Sequence, residues 1–279
     1  MRSFYCGQYL IRLECYRDIA DIFRLIWKDS VFDLSKSPDV VMHIEEGIET
    51  VPEKEKKAWH LHNHGGLNEV FYSPKGHPVF SLVYGSFPQE LTIRLSTPVS
   101  NYARIGIQHG IMLSLYQKCV GLHGVTLLCG DEIVILSAPS GTGKTTLAKL
   151  LEKYCNAIII NGDFALLSPT ADAVVFEPTP FCGTSGRALN HRFMVNRVIF
   201  LGQAKENNWR TLDGREAMIK FMSNAFVPEW DNFMQQAVQG NILSCVSMLK
   251  VNAYDFAPTK EAAEMFMKQL AENSQHRSE

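Results

Sequence analysis

Residues 135–154 read ILSAPSGTGKTTLAKLLEKY, an apolar run, a glycine-rich turn and a helix-forming run in immediate succession. The turn is Ala138-Pro-Ser-Gly-Thr-Gly-Lys-Thr145, followed by Thr146. Gly141 and Gly143 allow backbone angles that other residues resist, so successive amides can turn towards one anion. A helix starting at Lys144 adds the positive end of its dipole. In such a loop the lysine reaches the outer phosphates of a nucleotide and the following threonine offers its hydroxyl to Mg²⁺. Ser140, Gly141, Thr142, Gly143, Lys144, Thr145 and Thr146 are therefore the expected nucleotide contacts. Ala138 stands where the usual pattern begins with glycine, and a small residue suffices there if the local angles are ordinary.

The flanks narrow the class. No base-reading NKxD motif follows, as a GTPase would need, and no apolar strand ending in Asp-Glu, as a motor ATPase would need. Instead AIIINGDFALL (157–167) puts Asp163 just past an apolar strand, 163 − 144 = 19 residues after Lys144. A carboxylate there can hold Mg²⁺ or take a proton from an attacking hydroxyl. The alternative is a turn aspartate between two strands. Upstream, Leu122–Leu128 and Ile133–Ser137 form an expected hairpin, with His123 on its first strand. That histidine reads equally as a site residue or as a hydrogen-bonded core residue.

These residues resemble the HPr kinase/phosphorylase family, whose core is shared with the phosphoenolpyruvate carboxykinases. The resemblance covers roughly residues 105–270 and is strongest from His123 to Asp163. SAPSGTGKTT, NGDFALL, PFCGTSG and VIFLGQAKEN look like segments of bacterial relatives of that kinase. The resemblance implies an ATP-type donor with Mg²⁺ at Ser140–Thr145, and His123 and Asp163 facing the transferred phosphoryl group. Thr145 and Asp163 would be the metal ligands, and Asp163, His123 and Lys144 the catalytic group. In HPr kinases the strand ends in two adjacent aspartates; here the pair is Gly162-Asp163. Either Asp163 does both jobs, or the chemistry differs, or catalysis is weak. HPr itself is not the expected acceptor, because the C-terminal signature that helps to bind it is not evident.

The expected fold is α/β: a nucleotide-binding domain over 101–279 with a mixed central sheet, preceded by a strand-rich α+β region over 1–100 that contacts substrate or an oligomer partner. The N-terminal strands are expected at Tyr9–Arg17, Val40–Glu45, Val70–Tyr72, Val79–Tyr84 and Leu91–Leu95, with helices over Asp18–Trp27 and Asn101–Cys119. The latter helix, capped by Ser100 or Asn101, is expected to link the front region to the nucleotide core. Further strands are expected at Ala173–Glu177 and Arg197–Leu201, and helices at Gly214–Asn224, Trp230–Gly240 and Thr259–Ala271. Trp230, Phe233, Tyr254 and Phe256 read as core.

Three other clusters carry alternatives. Glu177–Phe193 contains Gly183, Gly186 and Arg187, and reads equally as an anion-binding loop or an ordinary surface loop. Cys182 within it reads as a packed thiol. His60, His62 and His64 alternate and could share one strand face, but no carboxylate or cysteine completes a metal set nearby, so a polar or substrate-contact face is the preferred reading. Arg210 and Arg215 could reach phosphates, although solvated charges at a helix start account for them better.

Bulk properties exclude several classes. A net charge of −2 over 279 residues offers no basic field for nucleic acid or an anionic membrane. Seven scattered cysteines, an odd number without a CxxC pair, suit reduced thiols in the cytoplasm rather than a disulfide framework. Charges interrupt the N-terminal apolar stretch, unlike a signal peptide, and no apolar run has bilayer-spanning length. The expectation is a cytoplasmic kinase acting on a seryl or threonyl hydroxyl of a protein or peptide, in a chain that could self-associate. The alternatives are an ATP-binding regulatory protein with little catalysis, and a small-molecule kinase.

Overall fold

The computed structural model describes residues 2–15, 36–48, 58–74, 77–96 and 101–274. The helix expected over Asp18–Trp27, the charged stretch Pro52–Lys57 and the cap Ser100 lie outside them. Two compact units emerge: 1–117 with 227–237, and 118–226 with 238–279.

The first unit is a seven-stranded mixed sheet. Its strands are β1 (Arg2–Cys6), β2 (Tyr9–Cys15), β3 (Val40–Glu46), β4 (Trp59–His64), β5 (Leu67–Tyr72), β6 (Phe80–Tyr84) and β7 (Glu90–Leu95), in the order β1-β2-β3-β7-β6-β5-β4. β2, β3 and β7 run parallel, and the hairpin expected around 73–78 is β5–β6. Helix α1 (Asn101–Ser114) packs on β3, β6 and β7. It ends five residues before the expected Cys119, and its buried Ala103, Ile107 and Ile111 face that sheet's core. This helix buries its apolar stripe on the N-terminal sheet, and the first compact unit runs on to Gln117. Trp230, in the 227–237 segment, donates from Nε1 to the Tyr84 hydroxyl at 2.9 Å, and its ring lies 5.2 Å from that of Trp59.

The second unit is a nine-stranded mixed sheet. Its strands are β8 (Val120–Cys129), β9 (Glu132–Ser137), β10 (Ile158–Asn161), β11 (Phe164–Pro169), β12 (Val174–Glu177), β13 (Phe193–Met194), β14 (Arg197–Gln203), β15 (Asn208–Thr211) and β16 (Lys250–Phe256). The order is β13-β12-β11-β8-β9-β14-β16-β15, with β10 also on β8. β9, β14 and β16 are parallel, and β8 joins β9 as the expected antiparallel hairpin. Helix α2 (Lys144–Cys155) and helix α5 (Lys260–Glu272) pack together. Leu147 and Leu151 of α2 and Phe266 and Leu270 of α5 share a core with Leu136, Ile199 and Tyr254 of the strands. On β14, Phe200 has the opposite parity to Ile199 and meets Phe221 of helix α3 (Gly214–Asn224) edge-on at 5.4 Å. Helix α4 (Asn232–Met248) runs eight residues beyond the expected Gly240, because buried Ile242 and Cys245 continue its apolar stripe. Phe233, expected in the core, is 66% exposed.

One polar anchor fixes this sheet from within, and side-chain caps start two of its helices. The buried Arg197 side chain donates to both carboxylate oxygens of Glu132 and to Asn252 Oδ1 at 2.9 Å, so its charge is paired and its planar fork is largely used. Asp213 caps α3 by accepting from the Glu216 amide, and Thr259 caps α5 by accepting from the Ala262 amide.

Candidate functional site

Strand β9 ends at Ser137 and helix α2 begins at Lys144, so the glycine-rich turn spans 138–143 between them. Gly141 and Gly143 have φ of +84° and +100°, the left-handed region that the turn demands. Ala138 is buried at the strand's end and is not among the residues with positive φ, so glycine is not required there. Thr142 Oγ1 donates to the Pro139 carbonyl at 2.9 Å and tightens the turn. No side chain caps the first turn of α2, which leaves its leading amides to a ligand or to solvent. Gln203, at the end of β14, donates to the Gly141 carbonyl at 3.3 Å.

Lys144 is buried, and its Nζ donates to the carbonyls of Ala138 at 2.7 Å and Pro139 at 3.0 Å. Burial holds its pKa below the ordinary lysine value, and the opposing charge of Asp163 offsets part of that effect. A lysine among loop carbonyls, left-handed glycines and an uncapped helix start suit a phosphate-bearing ligand, and the neighbouring Thr145 hydroxyl and Asp163 carboxylate are donor types that Mg²⁺ accepts.

Asp163 sits between β10 and β11, both of which pair antiparallel with β8. The register pairs Ile159 with Leu127 but Asn161 with Thr126, so one irregularity separates two halves of a single line of chain. Asp163 is thus not a hairpin residue. Its carbonyl accepts from the Gly124 amide at 3.0 Å, and its Oδ1 lies 3.7 Å from His123 Nε2. His123 is about half exposed at the sheet surface, which excludes the core reading. His123 on β8, Asp163 between β10 and β11, and Lys144 at the start of α2 are therefore brought together from three separate parts of the chain.

The 182–187 loop closes on the same place. A Cβ built at Gly162 would meet Ser185 Oγ at 1.7 Å and the Cys182 carbonyl at 2.6 Å, and one at Gly183 would meet Asp163 Cβ at 2.9 Å. Ser185 Oγ donates to the Cys182 carbonyl at 2.7 Å and accepts from the Arg187 amide at 3.0 Å. The Gly162 amide donates to the Arg187 carbonyl, and the Leu189 amide to the Ile160 carbonyl, so the loop's exit runs along β10. The Arg187 guanidinium lies 3.5 Å from Glu152 of α2. Arg210 Nη1 donates to both carboxylate oxygens of Glu216, in line with a solvated charge near a helix start.

The histidine cluster belongs to the first unit. His60, His62 and His64 lie on β4; His60 is buried, and the rings of His62 and His64 are 6.0 Å apart. Among the described residues no group of three His, Cys, Asp or Glu side chains could hold a metal ion, and no helix is long and apolar enough to cross a membrane. Sequence reasoning missed Asn161, Ser185 and Gln203. The Asn-Gly dipeptide before Asp163 was the available signal for the first.

No model of a known protein family matches the chain, and no curated protein matches it. Among solved structures it is similar to the HPr(Ser) kinase/phosphatase from Coxiella burnetii, at 10% identity over 55% of this chain and 90% of that one, with a TM-score of 0.33. That is a distant likeness of fold.

Proposed function

We propose that residues 118–279 form an ATP- and Mg²⁺-dependent phosphotransferase whose acceptor is a hydroxyl, on a seryl or threonyl side chain of a protein or peptide. The observation that carries this reading is the grouping of Lys144 in its glycine-rich loop with Asp163, and His123 3.7 Å from Asp163. Ser140–Thr146 and Lys144 would hold the phosphates, and Thr145 with Asp163 the metal. A metal held there would supply charge neutralisation to the phosphates. Asp163 takes the proton of the acceptor hydroxyl as its oxygen bonds to the γ-phosphorus and the bond to ADP breaks. His123 stands beside Asp163 to orient it. Cytoplasmic ATP and the seven free cysteines fit this setting. The N-terminal sheet would serve acceptor recognition or self-association.

One observation favours a second reading, an ATP-binding regulatory protein with weak catalysis. Position 162 has no room for the extra carboxylate that HPr kinases carry at the matching position, because Ser185 and the Cys182 carbonyl fill the space. ADP release from Mg²⁺-ATP with seryl peptides separates the two. Lys144→Ala is expected to lose nucleotide binding, and Asp163→Asn to keep binding while transfer falls about 100- to 10,000-fold, the range for a lost general base. ATP binding that survives Lys144→Ala would sink both readings, and wild-type transfer by Asp163→Asn would sink the first. Transfer to free serine in preference to peptides would make the acceptor a small molecule.

A further inference from the structure

We infer that Asn161 is a positioning residue for Asp163, holding the carboxylate-bearing bulge in register with the root of the 182–187 loop. The inference rests on the phosphotransferase reading above. Asn161 is fully buried at the end of β10. Its Oδ1 accepts from the amides of Asp163 and Phe164, both at 3.1 Å. Its Nδ2 donates to the Thr179 carbonyl at 3.0 Å and to Thr179 Oγ1 at 3.3 Å. Thr179, also fully buried, donates from Oγ1 to the Phe164 carbonyl at 3.1 Å. Two donors on one side and a carbonyl on the other admit only one orientation of the amide.

The consequence is geometric. β10 and β11 share the partner β8, and the ladder alone leaves the residues between them loosely specified. An asparagine accepting from the amide two residues on makes an Asx turn, which fixes the backbone of Gly162 and Asp163. The same side chain ties that turn to Thr179, three residues before Cys182. The carboxylate and the loop packed against Gly162 are then set by one amide group. A shift of about 1 Å at a reacting group can cost about 100-fold in rate. Asn161 touches no substrate in this scheme and acts through Asp163.

The test compares Asn161→Ala and Asn161→Ser with the full-length wild type, measuring Mg²⁺-ATP affinity and kcat for ADP release with seryl peptides as acceptors. The alanine variant is expected to bind ATP within about twofold of wild type and to lose about 10- to 100-fold in kcat. The serine variant, whose hydroxyl makes the same turn more weakly, is expected to fall between them. A wild-type kcat in the alanine variant overturns the inference. So does an equal fall of kcat and ATP affinity in both variants, which marks Asn161 as structural only. If the alanine variant does not fold, the serine variant decides alone: reduced kcat at unchanged affinity supports the role, and wild-type kcat overturns it. Wild-type protein that binds ATP and transfers nothing overturns the phosphotransferase reading instead, and is distinguishable because no variant is involved.

Discussion

A methyl group added at Gly162 would sit 1.7 Å from Ser185 Oγ and 2.6 Å from the Cys182 carbonyl. Backbone cannot yield as a flexible side chain can, so the loop must move. Gly162→Ala is expected to cost about 1–3 kcal/mol, the range for overpacking, and to lower Tm by about 2–4 °C for each kcal/mol. Adding Ser185→Gly removes the nearer contacts and should recover part of the loss. A Gly162→Ala variant that melts with wild type would show that the loop does not rest there. In the sequence this glycine reads as a missing aspartate. The residue that fills its space is 23 positions away, and no local pattern links the two. The turn that carries Lys144, by contrast, was legible, because a glycine-rich turn between strand and helix imposes its spacing on the chain, whereas Asp163 lies beyond the reach of that pattern. Their mutual influence required the fold.

Among the elements, α1 carries the clearest solution signature. His109 on this helix packs its ring among Trp59, Tyr72 and Phe80, 5.1 to 5.9 Å between centroids. Its Nδ1 donates to the Ile105 carbonyl at 2.8 Å. Burial lowers its pKa from 6.5 to about 4, against a smaller opposing effect of that hydrogen bond. Between pH 6.5 and about 4 the unfolded chain therefore binds a proton that the folded chain refuses. Stability is full above pH 6.5 and falls as the pH drops through that window. The residue as a whole is half-buried, and the loss is expected to be about 2 kcal/mol. Melting curves across pH 7 to 4 should show it, and His109→Phe should flatten it; an unchanged slope in that variant would remove His109 as the cause. Elements with a strong period were legible from sequence: α2, α3, α5 and the β8–β9 hairpin. β16 was not. β16 is buried along nearly its whole length between parallel β14 and antiparallel β15, so its burial does not follow the short polar-apolar alternation of Lys250–Ala253, and its aromatics read only as packing. β11 was missed because the Asn161 turn does not reverse the chain.

At the scale of the whole molecule, the first unit is discontinuous in sequence. Residues 227–237 belong with 1–117, and the second unit closes around them in the chain order. Composition gave no sign of this, since no linker-like stretch marks either crossing. The fragment 118–279 is expected to bind Mg²⁺-ATP with affinity within about threefold of the full chain, while Trp230, deprived of the Tyr84 hydroxyl and the Trp59 ring, emits at longer wavelength. Loss of ATP binding in a folded fragment would show that the units are not separable. The same discontinuity has a bearing on synthesis. Residues 1–117 leave the ribosome first, yet the segment that carries Trp230 and buried Met234 follows 237 − 117 = 120 residues later. At about 5–20 residues per second that is a wait of roughly 6–24 s. During it the nascent N-terminal sheet stands without Trp230 over Trp59, and the domain translated first is the one that must wait to be finished.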